Sequence, residues 1–451
     1  MFNRLFHLAD NHTTTRTEIV AGITTFLTMA YIVVLQPAIL ARDFAGQPTG
    51  MDPHAIFLAT CLAASATTLL MGLYANYPIA LAPGMGENFF FVATIMALAG
   101  MGVPDPWKAA LGIVLISGVI FLLFSLLPIR RILLEAVSPS LRNGMAVGIG
   151  LFIALIGFQH GGLITAKPNI GVGLNIRWLS ELDALKDILV FFTGLAVAGG
   201  LQARRVRGAI LWGIGASTLL ALGLGRIEYQ GIFGFPQVTV PAIGQWDLWN
   251  ALSWKALPFI AVFCFMDIFD TMGTLVGVSE QAGLIKDNRI PRADRVMLVD
   301  ACGTVFGACV GTSTVTSYIE SAAGVSHGGR TGLTSVVTGL LFLAALAFSP
   351  LVNMIGSYGP ATACALVIVG AMMMHNAVKI DWGDMSEALP AFLIAIGIPF
   401  TYSIADGLAL GFAAYPVMKI LCGRHREVHW ILYVMFVIIL AYFALARIHL
   451  G

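Results

Sequence analysis

The chain reads as an all-α polytopic membrane protein, and three observations carry that reading. Of 451 residues, 58% are hydrophobic and only 11% charged, against about 25% charged in ordinary soluble domains. Apolar runs of about 20 residues, the length that crosses a bilayer, recur from end to end. Two short segments rich in Pro, Gly and hydroxyl residues interrupt the series at matching places. A soluble fold could not hide this much apolar surface, so the bulk solvent must be lipid.

The apolar runs lie at 19–40, 55–74, 107–128, 141–160, 185–201 and 207–224, then at 256–279, 294–311, 331–349, 359–378, 387–402 and 404–421. The first interruption is Tyr77-Pro-Ile-Ala-Leu-Ala-Pro-Gly-Met-Gly-Glu-Asn-Phe89, where Pro78, Pro83, Gly84 and Gly86 forbid a continuous helix. A helical run is expected from near Asn88 to about Ala99. The second is Gly311-Thr-Ser-Thr-Val-Thr-Ser-Tyr-Ile-Glu-Ser321, whose hydroxyl and β-branched residues predict an extended piece, with a helix from near Ser317. Each half then holds two spans, a broken third and four more. Repeats of seven spans must be inverted in the membrane, so the expected fold is a 7+7 inverted repeat. An extra apolar segment follows at 428–447.

Orientation follows from the basic residues. With the N-terminus inside, seventeen of the 25 Lys and Arg fall on the cytoplasmic side, as the positive-inside rule demands. Acidic residues number 24, for a net charge of +1, so no basic field exists to hold nucleic acid. Cys61, Cys264, Cys302, Cys309, Cys364 and Cys422 form no CxxC pair, which speaks against a disulfide or zinc framework. Arg4, Asp10, Arg16 and Glu18 come before the first apolar run, so no cleavable leader is expected ahead of it.

Irregular backbone at membrane depth is tolerated only where protein buries it or a cavity needs it, and an ionisable side chain inside a span is a functional candidate by default. The densest group is in the eighth span, where Asp267, Asp270, Thr271 and Thr274 fall at i, i+3, i+4 and i+7 on one helical stripe. Two carboxylates a turn apart in a partly dry site cannot both be charged cheaply, which predicts a proton site; the other reading is structural capping of neighbouring half-helices. The histidines sit in loops or near span ends, so proton coupling falls on carboxylates. Glu320 admits two readings: the S-x-x-E capping box of Ser317 to Glu320, or a ligand acceptor at a half-helix start. Glu87-Asn88 is its counterpart in the first repeat. Asp300 and Asp406 fit helix packing or capping better. Phe89, Phe90, Phe91 and Tyr318 flank the broken helices and could stack on a planar ligand.

These residues resemble a known family. Gly22-Ile-Thr-Thr-Phe-Leu-Thr-Met-Ala-Tyr31, Ala82-Pro-Gly-Met-Gly86, Asp267-Ile-Phe-Asp-Thr-Met-Gly-Thr-Leu275 and the whole Gly311–Ser321 segment are similar to the AzgA-like branch of the nucleobase:cation symporter 2 family, the hypoxanthine, adenine and guanine permeases. The resemblance covers nearly the whole chain. It implies the fold of the bacterial uracil permease, with a core domain of 1–135 and 251–352, a gate domain of 136–250 and 353–427, and a separate tail at 428–451. It implies substrate-binding or transport roles for Asn88, Asp267, Asp270 and Glu320, with Ser317, Thr274, Phe89 and Tyr318 beside them. Aligned on Gly273, Asp270 takes the place of the uracil permease's substrate-binding glutamate and Thr274 that of a histidine. Glu87 departs from the pattern, which usually has an apolar or small residue there.

The expectation is a proton-coupled importer of purine nucleobases in the cell (inner) membrane, a homodimer among lipids, with purine and proton as cosubstrates and neither cofactor nor metal. A carrier of xanthine, uracil or an anion on the same fold is the first rival, though an anion carrier would avoid so many acids. An intramembrane enzyme using Asp267 and Asp270 is the second, but no GxGD or HExxH string occurs and Asp-x-x-Asp alone is weak.

Overall fold

The computed structural model describes residues 5–44, 46–126, 137–167, 171–238, 242–284, 290–430, 432, 433 and 436. The first seven-span series opens with α1 (Thr15–Met29) and α2 (Tyr31–Leu40), two pieces of one span, then α3 (Pro53–Leu70), which ends in a π turn at Met71–Ala75. The first interruption forms strand β1 (Leu81–Pro83) and helix α4 (Met85–Gly100); α5 (Pro106–Leu126) and α6 (Pro139–His160) follow. A hairpin of β2 (Ile164–Lys167) and β3 (Gly171–Leu174) leads to α7 (Leu182–Ala203) and α8 (Ala209–Gly223).

After a one-turn helix α9 (Leu248–Ala251), the second series repeats the order: α10 (Leu257–Gln281), α11 (Ala293–Val310), strand β4 (Val315–Ser317) and the short α12 (Ser321–Ser326). It continues with α13 (Gly332–Ala344), α14 (Ser349–Gly356), α15 (Gly359–Met373), α16 (Met385–Thr401) and α17 (Ile404–Leu421). Among the described residues, seven helical stretches are long and apolar enough to cross a membrane and four shorter apolar helices accompany them.

Three sequence expectations change. Helix α4 starts at Met85 rather than near Asn88, because β1 ends at Pro83 and Gly84 (φ −69°, ψ 133°) turns the chain at once into the helix. Helix α12 starts at Ser321 rather than near Ser317, because Tyr318 still donates its N–H to the Ala80 carbonyl at 2.9 Å and so prolongs the ladder. The β2–β3 hairpin was not foreseen; its Gly171-Val-Gly-Leu174 strand is too short to stand out as an apolar run. Most of the expected extra segment 428–447 lies outside the described residues.

The chain divides into two compact units, Met1–Leu126 with Gly157–Ala365, and Leu127–Ile156 with Leu366–Gly451. In the second unit, α16 and α17 pack through glycines: the space a Cβ on Gly407 would need is taken by Ile398, 2.4 Å away, the close approach that small residues permit in membranes. Lys419, only 1% exposed, is neutralised there by Glu387 and Glu427 at 2.9 Å each.

The first unit holds β1 and β4, which pair antiparallel with Leu81 opposite Ser317, Ala82 opposite Thr316 and Pro83 opposite Val315. Beneath them lies an apolar core that includes Tyr77, Ile79, Leu275, Val278 and Val299. The start of α13 is held from two other helices. The buried Glu18 of α1 accepts the backbone N–H of Arg330 (2.9 Å), Thr331 (3.3 Å) and Thr334 (3.2 Å) and the Thr334 hydroxyl (2.6 Å). Asn76, left-handed at φ 49°, accepts Gly332 N–H at 2.7 Å. Helix starts carry unpaired donors, and here a charged side chain 312 to 316 residues away satisfies them.

Glu18→Gln keeps one acceptor but loses the charge, and Glu18→Ala takes the carboxylate from all four donors, of which only those of Thr334 keep a longer second acceptor. The alanine variant is expected to be the less stable by about 1–3 kcal/mol and to melt at a lower temperature in detergent than the glutamine variant, measured on purified protein; equal melting of parent and alanine variant would deny Glu18 this role.

Candidate functional site

The site is built where β1 meets β4. In an antiparallel pair, hydrogen-bonded and non-hydrogen-bonded positions alternate. Gly84 N–H to Thr314 O and Tyr318 N–H to Ala80 O, both 2.9 Å, bracket the ladder, so Leu81–Ser317 and Pro83–Val315 are the non-hydrogen-bonded pairs. Pro83 therefore loses nothing by lacking an N–H. The backbone groups that point away from the ladder need other partners, and hydroxyls supply them. Thr68 of α3 serves both the N–H and the carbonyl of Leu81 at 2.9 Å. Tyr318 donates its phenol to the Pro83 carbonyl, and Thr304 of α11 reaches the Val315 carbonyl at 3.0 Å.

Helices α10 and α11 exchange an aspartate and a threonine. Thr304 donates to Asp267 Oδ2 at 2.6 Å, while Thr271 donates to Asp300 Oδ2 at 2.5 Å. Asp267 and Thr271, like Asp300 and Thr304, are four residues apart and so share a face. All three residues of β4 are tied into this quartet: Val315 through Thr304, Thr316 through its hydroxyl 3.3 Å from that of Thr271, and Ser317 by donating to Asp300 Oδ1 at 2.6 Å. All four members are essentially inaccessible, none more than 1% exposed. Asp300 thus has both oxygens occupied, whereas Asp267 Oδ1 has no partner among the described residues.

The stripe expected on the eighth span divides. Asp267, Thr271 and Thr274 are buried, but Asp270 is exposed midway along α10. Gly273, one turn further on, is open too: a Cβ built there meets nothing within 4 Å. Asp270 is within electrostatic reach of Glu87 and Glu320, and Asp267 of Asp300, Glu87 and Asp270.

Glu320 is half-buried just before α12 and accepts a hydrogen bond from the Tyr31 phenol of α2 on Oε1 at 2.6 Å. The capping box does not form, since Ser317 lies in β4 and spends its hydroxyl on Asp300. Asn88 is wholly buried; it donates to Gln36 Oε1 and accepts from Ser313, while Gln36 donates to Thr312 and Ser313 at 3.0 Å. This ring ties α2, α4 and the approach to β4 together. Glu87, 3% exposed, folds back over its own helix start: a Cβ on Gly84 would sit 2.1 Å from Glu87 Oε2 and 2.8 Å from Thr316 Cγ2, so a side chain there would displace the carboxylate.

The aromatics are mainly packed against one another. Phe89 stacks on Phe44 with centroids 6.3 Å apart, and Phe90 lies 4.6 Å from Phe263. Phe91 is fully buried, and Tyr318 is 5% exposed. Asp406 is in the first turn of α17, where Ser403 caps its backbone N–H at 3.1 Å.

Sequence reasoning named every acid of this constellation but passed over Tyr31, Gln36, Thr304 and Ser313. A signal for two of them existed: Gln36 and Thr304 are polar residues in the middle of apolar runs.

The Permease family matches residues 16–410 of this chain. The chain is 42% identical to the guanine/hypoxanthine permease PbuG of Bacillus subtilis, over 97% of this chain and 98% of that one. It is 41% identical to the adenine permease AdeP of Escherichia coli, over 95% of this chain and 92% of that one. Among solved structures, the transmembrane domain of the cyanobacterial bicarbonate transporter BicA superposes with a TM-score of 0.61 at 16% identity, covering 88% of this chain and 97% of that chain. That likeness supports the 7+7 inverted-repeat fold. The chain is a multi-pass membrane transport protein and not an enzyme; it belongs to the Permease family, alongside the purine nucleobase permeases that it resembles.

Proposed function

We propose that the protein imports a purine nucleobase (adenine, guanine or hypoxanthine) together with protons, by alternating access. The observation that carries this reading is the placing of acids around the β1–β4 junction: Asp270 open, Glu320 half-buried, Asp267 and Asp300 wholly enclosed. A neutral purine offers ring N–H and amine donors to such acceptors, and an anion would be repelled by them. In this reading Asp270 and Glu320 hold the base, Asn88, Glu87, Thr274, Ser317, Phe89 and Tyr318 shape the site around them, and Asp267 or Asp270 takes the proton. The relatives named for adenine and for guanine/hypoxanthine point to the same substrate class.

The proposal extends to the setting. The protein works as a homodimer among lipids in the cell (inner) membrane with its N-terminus in the cytoplasm. Residues 1–135 and 251–352 form the core that carries the site, 136–250 and 353–427 the gate against which it moves, and 428–451 an appended tail. Uptake of radiolabelled hypoxanthine, adenine and guanine into cells lacking their own purine permeases, with and without a protonophore, tests the whole reading. Accumulation that the protonophore abolishes is the expected result, and no accumulation of any of the three would refute it.

Four variants test the residue roles. Glu320→Gln preserves an acceptor for Tyr31 but loses the charge, and charge-assisted hydrogen bonds are about twice as strong as neutral ones; purine affinity by calorimetry is expected to fall at least about tenfold, or 1.4 kcal/mol, with expression near normal. Of Asp267→Asn and Asp270→Asn, at least one is expected to exchange purine across the membrane without accumulating it against a gradient. If both accumulate as the parent does, the proton site lies elsewhere. Glu87→Leu is expected to keep the adenine-to-hypoxanthine affinity ratio within about threefold, as befits a carboxylate turned onto its own helix start; a larger change would make Glu87 a specificity residue.

A further inference from the structure

Thr304 has one hydroxyl hydrogen and two acceptors within reach, Asp267 Oδ2 at 2.6 Å and the Val315 carbonyl at 3.0 Å. It can satisfy only one of them at a time. The choice is not free, because Asp267 decides it. When Asp267 is ionised, its oxygen can only accept, so the hydroxyl hydrogen is drawn to the carboxylate. The Val315 carbonyl, which points away from β1, then gives up that bond. When Asp267 is protonated, the proton is best used on Oδ2, because Oδ1 faces no partner among the described residues. The acid then donates to Thr304 Oγ, and the hydroxyl hydrogen swings to Val315.

The side chain is held for this switch. Thr304 is fully buried, and its methyl lies against Gly118 of α5, where a Cβ would come within 2.9 Å of it. A helical threonine otherwise has two χ1 rotamers; the methyl packed against Gly118 favours the one that leaves the hydroxyl between its two acceptors, so that only the hydrogen moves. By contrast, both oxygens of Asp300 already accept, from Thr271 and Ser317, and the second contact of Thr271 is the Thr316 hydroxyl at 3.3 Å rather than a backbone carbonyl of β4.

We propose that Thr304 is the positioning residue that transmits the protonation state of Asp267 to strand β4 and, through it, to the purine site at Glu320. This inference rests on the proton-coupled reading above. In the protonated state the Val315 carbonyl keeps its bond and the segment leading to Glu320 is held in place; in the ionised state that carbonyl loses its partner among buried residues. Purine binding is therefore stronger when the proton is bound. The other ionisable groups that bear on Asp267 are Asp270 and Cys264 on its own helix, Glu87 from α4 and Asp300 from α11; Tyr31, Tyr318 and Glu320 surround Asp270. Any of these could impose a pH dependence of its own, so the decisive readout is whether that dependence needs the Thr304 hydroxyl.

The experiment is calorimetric titration of the purified full-length protein with adenine, hypoxanthine and guanine at a series of pH values across the neutral range. It compares the parent with Thr304→Val, which keeps the shape without the hydroxyl, and Thr304→Ser, which keeps the hydroxyl. The parent is expected to lose affinity by about tenfold or more as pH rises, Thr304→Ser to follow it, and Thr304→Val to stay within about threefold over the same range. Should the valine protein not fold, Thr304→Ala removes the same hydroxyl without adding bulk and is read in the same way. A hydroxyl-free variant with the parent's full pH dependence overturns the assignment of Thr304 alone. A parent whose affinity does not change with pH overturns it together with the proton-coupled reading.

Discussion

A backbone carbonyl or N–H at the depth of a bilayer has no water to bond, and each one left unpaired costs several kcal/mol. Two strands of three residues each lie between helices here, and everything around them answers that constraint. The ladder between β1 and β4 satisfies the groups that face each other. Hydroxyls of Thr68, Thr304 and Tyr318 satisfy groups that face outward, and Ser321 accepts Ala80 N–H at 3.0 Å. Because the strands are paired, α4 and α12 must begin on either side of the same crossing, which brings residues some 230 positions apart, such as Glu87 and Glu320, to one place.

The carboxylates take different parts in consequence. Asp300 is a fully bonded anchor, its two oxygens joining α10 and β4 to α11. Asp267 is bonded on one side only, and Asp270, a turn away, is open. An enclosed acid and an open one thus lie on neighbouring faces of one helix, near enough to influence each other. Glu320 joins the open group through α12, and its link to Tyr31 ties it to the first span. The two broken segments are thus at once the device that closes the backbone and the frame that presents the acids.

Most of the fold was legible because lipid imposes simple rules on composition. Twenty apolar residues make a span, proline and glycine break one, and an odd count forces inversion. The acids Glu87, Asp267, Asp270 and Glu320 stood out because charges are rare in such runs. What misled was local pattern applied where a distant partner had priority. Ser317 and Glu320 have the spacing of a capping box, yet Ser317 belongs to a strand, and Asp300 takes its hydroxyl.

By itself, then, the sequence determined the environment, the number and order of spans, the two sites of interruption and the identity of the ionisable residues, since each depends on short stretches of chain and their transfer energies. Only the tertiary structure decided which hydroxyl meets which carboxylate. Thr304 pairs with Asp267 across 37 residues and Ser313 with Asn88 across 225. A hydroxyl is the same donor wherever it lies, and its partner is set by which helices pack against each other and in what register, a property of the whole assembly that no local pattern encodes.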